Sequence, residues 1–502
     1  MIDSVLTGFP ILSLVLWLPF LGTLLCLLMR HSAVACRWLA LLTTLSVLLV
    51  AVGLFVGLPA EAGWLLSEDY TWIPSFGIRY SLALDGISLL LICLTAVLQV
   101  AAVLISWKQK EHPALFYALV LVLETGIIGV FLATDLILFY LFWELMLIPM
   151  LFLIGVWGHE NRVYAALKFF FFTLAGSLCL LLAIISLYLI HGEQTGVYSF
   201  AFETLKQTQL SSGVEMLLYL GFVLAFVVKV PLFPFHTWLP DAHTEAPAAG
   251  SVDLAGLLLK TGIYGLIRFA FPLFPHAAQQ SLPFLVVLAL IGIFYAAWIA
   301  YAQTDIKRVV AYSSVAHMGF VILGLAAWNQ LAWEGALLLM VNHGVTTGGL
   351  FILIAMLQER TGSRDLRLLG GMWKSLPFFS AFFLLFCLAS LGLPGLSNFA
   401  GEILVLLGTF GRWPLFAALA AAGVIFSAAY MLRVVQGTLW GPLGQVCKLG
   451  DKGCQHEDLG RREWLLIIPL ALLVIWLGLY PTPVLEPMRG PISLMLQAGG
   501  LP

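Results

Sequence analysis

The chain has 502 residues, 61% of them hydrophobic and only 10% charged, with a formal net charge of −2. A soluble domain of this size would carry roughly 25% charged residues. The composition therefore excludes a water-soluble enzyme or a nucleic-acid-binding protein and indicates an all-α, polytopic membrane protein embedded in a lipid bilayer.

The first apolar stretch, Pro10 to Met29, has no Lys or Arg before it and no small-residue cleavage site after it. It is long enough to span, so it reads as a first transmembrane helix and not a cleaved leader. Windows of about 20 apolar residues predict fourteen helices, over 9–29, 35–57, 81–107, 114–131, 134–156, 163–191, 214–238, 250–272, 282–302, 306–327, 331–357, 375–408, 411–437 and 464–485. They group as three N-terminal helices (1–110), a first set of five (111–275), a second set of five (276–440), and a loop with the last helix (441–502). The longest polar segment, Gly441 to Glu463, is that loop. The seven cysteines are scattered, mostly inside apolar runs; Cys447 and Cys454 are the one close pair, fit no common zinc or iron–sulfur spacing, and read as loop thiols. No Rossmann fingerprint, P-loop or haem motif occurs.

Basic residues set the expected orientation. With loops numbered from the N-terminus, the even loops and termini hold only Arg79, Lys206, Arg268, Arg412 and Arg489 of the 24 Lys and Arg. Apart from Lys229 and Lys260, which lie inside apolar runs, the rest belong to the odd loops. Odd loops are thus expected on the cytoplasmic or matrix side, with both termini opposite.

Two helices carry strong breakers. The seventh reads Val228-Lys229-Val230-Pro231-Leu232-Phe233-Pro234 and the twelfth Leu391-Gly392-Leu393-Pro394-Gly395. Proline removes a backbone donor and clashes with the preceding turn, so both should be interrupted there. They are five helices apart. An odd offset reverses the direction of crossing, so helices 4–8 and 9–13 read as inverted repeats, in the way transporters build an ion path. The competing reading is that proline is simply commoner in membrane helices.

Charges inside apolar runs are the strongest functional signal. Glu144, Lys229, Lys260 and Glu402 each lie in one, at a cost of about 2.5–3.5 kcal/mol for a charge in mid-bilayer. Burial penalises the charged form of a lysine, and a nearby carboxylate offsets that penalty. Moving the carboxylate therefore moves the lysine's hold on its proton. This makes Glu144 with Lys229 either a proton switch or a structural ion pair locking two helices. Lys260 is seven residues from Asp253, about two turns, which puts both near one face. His317 and His343 are candidate relay bases between Lys260 and Glu402, or hydrogen-bonded core histidines.

The stretch Pro234-Phe235-His236-Thr237-Trp238-Leu239-Pro240-Asp241-Ala242-His243-Thr244-Glu245-Ala246-Pro247, running on through Gly250-Ser251-Val252-Asp253 to Lys260, resembles the signature of the antiporter-like subunits of respiratory complex I. So do Gln303-Thr304-Asp305-Ile306-Lys307-Arg308, Ala311-Tyr312-Ser313-Ser314 and His317-Met318-Gly319. The resemblance covers essentially the whole chain. It implies fourteen helices in two inverted five-helix repeats, each with a discontinuous helix, around a hydrophilic axis that carries protons. Glu144 and Lys229 would be the modulating pair, Lys260 the central relay and Glu402 the terminal site. L- and N-type subunits resemble this core with lysine in the twelfth helix, so Glu402 points to the remaining branch. The L-type lateral helix is also not expected, since the sequence runs about 17 residues past the last predicted helix. The resemblance further implies a bacterial-type inner membrane and L- and N-type antiporter-like partners. It implies no cofactor in this chain, with NADH, FMN, iron–sulfur clusters and quinone held by partner subunits. Two other readings stay open: a subunit of a sodium/proton antiporter or membrane-bound hydrogenase, and a non-pumping membrane scaffold.

Overall fold

The computed structural model describes residues 9–442, 444 and 457–498; Cys447 and Cys454 lie outside them. Among the described residues, thirteen helices are long and apolar enough to cross a membrane. They are α1 (Ile11–Leu28), α2 (Ala33–Gly57), α3 (Gly86–Ile105), α4 (Pro113–Leu132), α5 (Leu136–Trp157), α6 (Arg162–Thr195), α7a (Ser212–Lys229), α8 (Ala248–Leu273), α9 (Pro275–Ala302), α10 (Ile306–Ala326), α11 (Gln330–Thr361), α13 (Pro414–Leu439) and α14 (Arg461–Leu479). A further one is broken into α12a (Pro377–Ser390) and α12b (Ser397–Arg412), and α7a is followed by the short α7b (Trp238–Glu245). The predicted spans match these within a few residues, with four differences. The third helix begins at Gly86, the seventh stops at Lys229, the ninth begins at Pro275, and the last ends at Leu479 with a separate α15 (Thr482–Ala498) after it.

The segment expected as a loop after α2, together with the first residues of the predicted third helix, is an antiparallel hairpin, β1 (Leu66–Ile73) with β2 (Ile78–Leu84), in register from Leu66↔Leu84 to Thr71↔Arg79 and shifted by a bulge before Ile73↔Ile78. Gly77, at φ 67°, makes the turn, and a side chain there would run into the Tyr198 carbonyl. The hairpin also finishes α1. The first turn of any helix leaves N–H groups without partners, and Glu68 on β1 accepts from Leu12 N at 2.7 Å and Ser13 N at 3.2 Å. Elsewhere the caps are local. Asp85 accepts from Ser88 N (2.8 Å) before α3, Asp135 from Ile137 N and Leu138 N (3.0 and 3.1 Å) before α5, and Asp305 from Lys307 N (2.7 Å) before α10. Each acid sits where the helix dipole favours it.

The chain forms two compact units. One comprises the chain up to Val230, Leu257–Leu282 and the chain from Glu486 onward; the other comprises Pro231–Gly256 and Pro283–Leu485. In the first unit α3 and α4 are mostly buried, and Arg268, buried and ion-paired with Asp85, lies over the Trp64 ring at 4.6 Å. In the second, α11 is wholly buried through its apolar window. Glycines let it meet α12b: a Cβ on Gly401 would lie 2.8 Å from Leu339 N, and one on Gly335 2.5 Å from Val405 N. Such small-residue contacts are how membrane helices gain dispersion energy without a hydrophobic drive between them.

Candidate functional site: buried charges on interrupted helices

In the first unit, α5 is interrupted at Met146, between Leu136–Leu145 and Leu147–Trp157. Pro149 explains it, because its ring opposes the carbonyl of residue 145, four before it. Glu144 therefore lies in the last turn of a helical segment. Its Oε1 is buried without a hydrogen-bond partner, and Tyr140, one turn earlier, hydrogen-bonds to its side chain. Lys229 is the last residue of α7a, 2% exposed. Its Nζ stands 5.0 Å from the Trp143 ring centroid and 5.9 Å from that of Phe169. Glu144 acts on it electrostatically. A desolvated cation over an aromatic face gains about 2 kcal/mol, and the C-terminal end of a helix favours positive charge. The lysine's surroundings thus combine an indole face, a helix terminus and a carboxylate one residue from that indole.

Lys260 is wholly buried on a regular turn of α8, Leu259–Gly265, which lies between π-helical stretches at Leu254–Leu258 and Leu266–Ala270. Such π-turns cluster at functional sites. With the first of them between Asp253 and Lys260, seven residues are no longer two regular turns, so the expected common face does not hold. Gly262 and Gly265 seat α7a. A Cβ on Gly262 would lie 2.8 Å from the Phe226 carbonyl oxygen and 3.1 Å from Lys229 Cβ, and one on Gly265 would enter the Phe226 ring. The turn carrying Lys260 and the end carrying Lys229 are thereby packed backbone to backbone.

In the second unit, α12 breaks where Gly392 and Gly395 take positive φ (81° and 92°). Glu402, 4% exposed, lies against this break: a Cβ on Gly392 would be 2.5 Å from its Oε2. Its Oε1 is 3.4 Å from His317 Nε2. The same nitrogen is 3.0 Å from the Ser390 carbonyl oxygen, and Nδ1 is 2.7 Å from that of Ser313. Both ring nitrogens thus face oxygen acceptors. A neutral imidazole donates at one of them and an imidazolium at both. The His343 ring lies 5.5 Å from that of His317, tilted at 56° to it. Polar groups continue along the start of α12b, where Asn342 Nδ2 donates to the Ser397 carbonyl at 2.5 Å and Thr346 Oγ1 is 2.9 Å from Ser397 Oγ.

The six residues singled out from sequence thus fall into two groups, Glu144, Lys229 and Lys260 in one unit and His317, His343 and Glu402 in the other. The signature around α7b has a structural use. Arg308 bonds Asp241 (3.1 Å), Arg364 donates to the Thr244 carbonyl (2.8 Å), and buried Lys307 donates to that of Ala246 (2.5 Å). These contacts hold the segment after the break in place. Two further buried features were not anticipated. Arg268, expected beside an even loop, is buried in an ion pair with Asp85, and Glu124 on α4 is wholly buried within an apolar run. The search for charges inside such runs that found Glu144 applies equally to Glu124. Among the described residues, no group of three or more His, Cys, Asp or Glu is placed to hold a metal ion.

Residues 133–427 match the family described as NADH:quinone oxidoreductase/Mrp antiporter, TM. The chain is 44% identical over 494 residues to NADH-quinone oxidoreductase subunit M of Escherichia coli (strain K12), covering 96% of each chain. It is 46% identical over 492 residues to the subunit of that name from Pseudomonas aeruginosa, covering 95% of each. Its fold matches a chain of respiratory complex I from Thermus thermophilus at a TM-score of 0.86 and 34% identity, covering 97% of this chain and 99% of that one. By sequence and fold together, the chain belongs to the NADH:quinone oxidoreductase/Mrp antiporter membrane family, in its subunit M branch.

Proposed function

We propose that the chain is a proton-translocating subunit of the membrane arm of an NADH:quinone oxidoreductase, and that its buried charges move protons while quinone is reduced elsewhere in the complex. Partner subunits hold NADH, FMN, the iron–sulfur clusters and quinone, and L- and N-type antiporter-like subunits are its neighbours in a bacterial-type inner membrane. Both termini face the periplasm, as the placement of Lys and Arg supports, and helices 4–8 and 9–13 form inverted repeats.

The observation that carries the reading is the pairing of ionisable groups with helix interruptions. Lys229 ends α7a, Lys260 sits between two π-turns, Glu144 lies in the last turn before the interruption of α5, and Glu402 lies against the break in α12. Irregular backbone at membrane depth is tolerated only where it is buried in protein or lines a hydrated path. A merely spanning helix has no use for it. The relay runs from the Glu144–Lys229 pair to Lys260 and ends on Glu402, with His317 and His343 as intermediate bases. In this scheme Glu144 governs whether Lys229 keeps or passes its proton.

Glu144→Ala removes that control. Proton pumping coupled to quinone-linked NADH oxidation should fall to a small fraction of wild type, and Glu144→Asp should keep part of it. Both are measured in assembled complexes in proteoliposomes. Undiminished pumping by assembled Glu144→Ala would reduce the pair to a structural lock.

A further inference from the structure

Glu124 belongs with the buried charges but has no place in the relay above. It is wholly buried near the middle of α4, in Leu121-Val122-Leu123-Glu124-Thr125. Contacts within the first unit fix what it faces. At one end of the bundle, Arg268 of α8 pairs with Asp85 just before α3. One turn further in, the Tyr264 hydroxyl of α8 is 3.1 Å from Ser88 Oγ of α3 and donates to the Phe131 carbonyl of α4 at 3.0 Å, with the Phe131 and Tyr264 rings 5.2 Å apart. From this level α3 runs inward with increasing number. Both α4 and α8 run inward with decreasing number.

Going inward, Glu124 is seven residues from Phe131 and Lys260 four from Tyr264, so each lies on the same helix face as its contacting neighbour. At 1.5 Å per residue these steps are about 10 and 6 Å. The long lysine stem leans toward its helix N-terminus, deeper still, and closes most of that difference. On α3, Thr95 and Gln99 are seven and eleven residues past Ser88 and share its face. Both are wholly buried, and both polar side-chain atoms of Gln99 lack a hydrogen-bond partner in the protein. The opposite face of α8 is occupied: Gly262 and Gly265 meet α7a there. Lys260 therefore turns toward α3 and α4, where Glu124 and Thr95 lie about 10 Å inward of that level, within reach of its stem, and Gln99 lies about one turn deeper.

We propose that Glu124 is the carboxylate partner of Lys260 and exchanges a proton with it during turnover. In the transfer an ammonium N–H bond breaks, a carboxyl O–H bond forms, and both groups become neutral. The reverse step restores the ion pair, with no other reactant needed. The inference rests on the reading of Lys260 as a proton carrier. It gives Lys260 its own acid, distinct from Glu144, so that Lys229 and Lys260 each have one carboxylate.

The test uses the assembled complex in proteoliposomes with Glu124→Gln, Glu124→Asp and Lys260→Met. Glu124→Gln should lower proton pumping about tenfold or more, since a positioned proton-transfer group typically contributes at least that factor, and Glu124→Asp should recover much of it. The second readout is infrared absorption. Lys260→Met should gain a protonated-carboxyl band relative to wild type, and the double variant with Glu124→Gln should lack it. Should Glu124→Gln not assemble, Glu124→Asp in the Lys260→Met background decides: the band moves if Glu124 carries it and stays if another carboxyl does. Wild-type pumping by Glu124→Gln, or a Lys260→Met band insensitive to residue 124, would overturn the pairing. Inactive Lys260→Met beside fully active Glu124→Gln would sink this inference alone, whereas fully active Lys260→Met would sink the lysine relay itself.

Discussion

Lys229→Ala should abolish or strongly reduce coupled activity, and Lys229→Arg should not restore it. The alanine removes the one ammonium that meets the Trp143 face and is acted on by Glu144. It leaves the carboxylate with no cation beside it, the circumstance in which breaking a buried pair costs about 3–5 kcal/mol. Arginine separates charge from chemistry. Its guanidinium keeps the positive charge, stacks on an indole and pairs with a carboxylate, but it stays protonated even when buried. A structural lock would accept the arginine, and a proton carrier would not. Space also matters: Gly262 brings the backbone of α8 within contact of Lys229 Cβ, so the larger head has to extend toward Trp143. Proton pumping and quinone-linked NADH oxidation, read at equal assembly, distinguish the cases. Normal pumping by the arginine variant would mean that deprotonation of Lys229 is not part of the cycle.

The second large effect is expected at Glu402. Its carboxylate lies 3.4 Å from His317 Nε2 and against Gly392 in the break of α12. Glu402→Gln keeps size and hydrogen bonding but cannot ionise, so pumping should drop severely while assembly holds. Glu402→Lys should be partly tolerated, because an amine at this position still takes up and releases a proton and a neutral His317 accepts from it. A purely structural carboxylate gives the reverse order, with glutamine harmless and lysine disruptive through its reversed charge. The ranking of the two variants in pumping is therefore the measurement, and lysine ranking below glutamine would remove Glu402 from the relay.

Much of this was readable from sequence because a membrane imposes few rules and enforces them strongly. Twenty-residue apolar windows gave the helices, since every backbone group must be satisfied within its own segment. The paired prolines around Pro231 and the Gly–Pro run around Pro394 gave the two major breaks. What stayed hidden followed from weaker or ambiguous signals. The interruption at Met146 rests on the single Pro149, and lone prolines are ordinary in membrane helices. The π-turns flanking Lys260 carry no composition signal of their own. The hairpin Leu66–Leu84 has the aromatic and alternating character of strands, yet lies between apolar helices where a polar stretch reads as loop. Arg268 and Asp85 sit near helix ends, where charged side chains usually reach water. Their burial depends on Trp64 and Tyr264, which only the fold brings to them. The short α15 was masked by Pro487 and Pro491 inside it.

The most direct test of the claim that these buried charges carry protons is the number of protons translocated per NADH oxidised by proteoliposomes containing the assembled complex, wild type against Lys260→Ala. The lysine is wholly buried, and the proposed function leaves the redox cofactors to partner subunits, so electron transfer to an artificial acceptor serves as the control for assembly. The expected result is unchanged oxidation of NADH with that acceptor, together with a strongly reduced proton yield and quinone-linked rate. A Lys260→Ala complex that translocates as many protons per NADH as wild type, at the same quinone-linked rate, would contradict it.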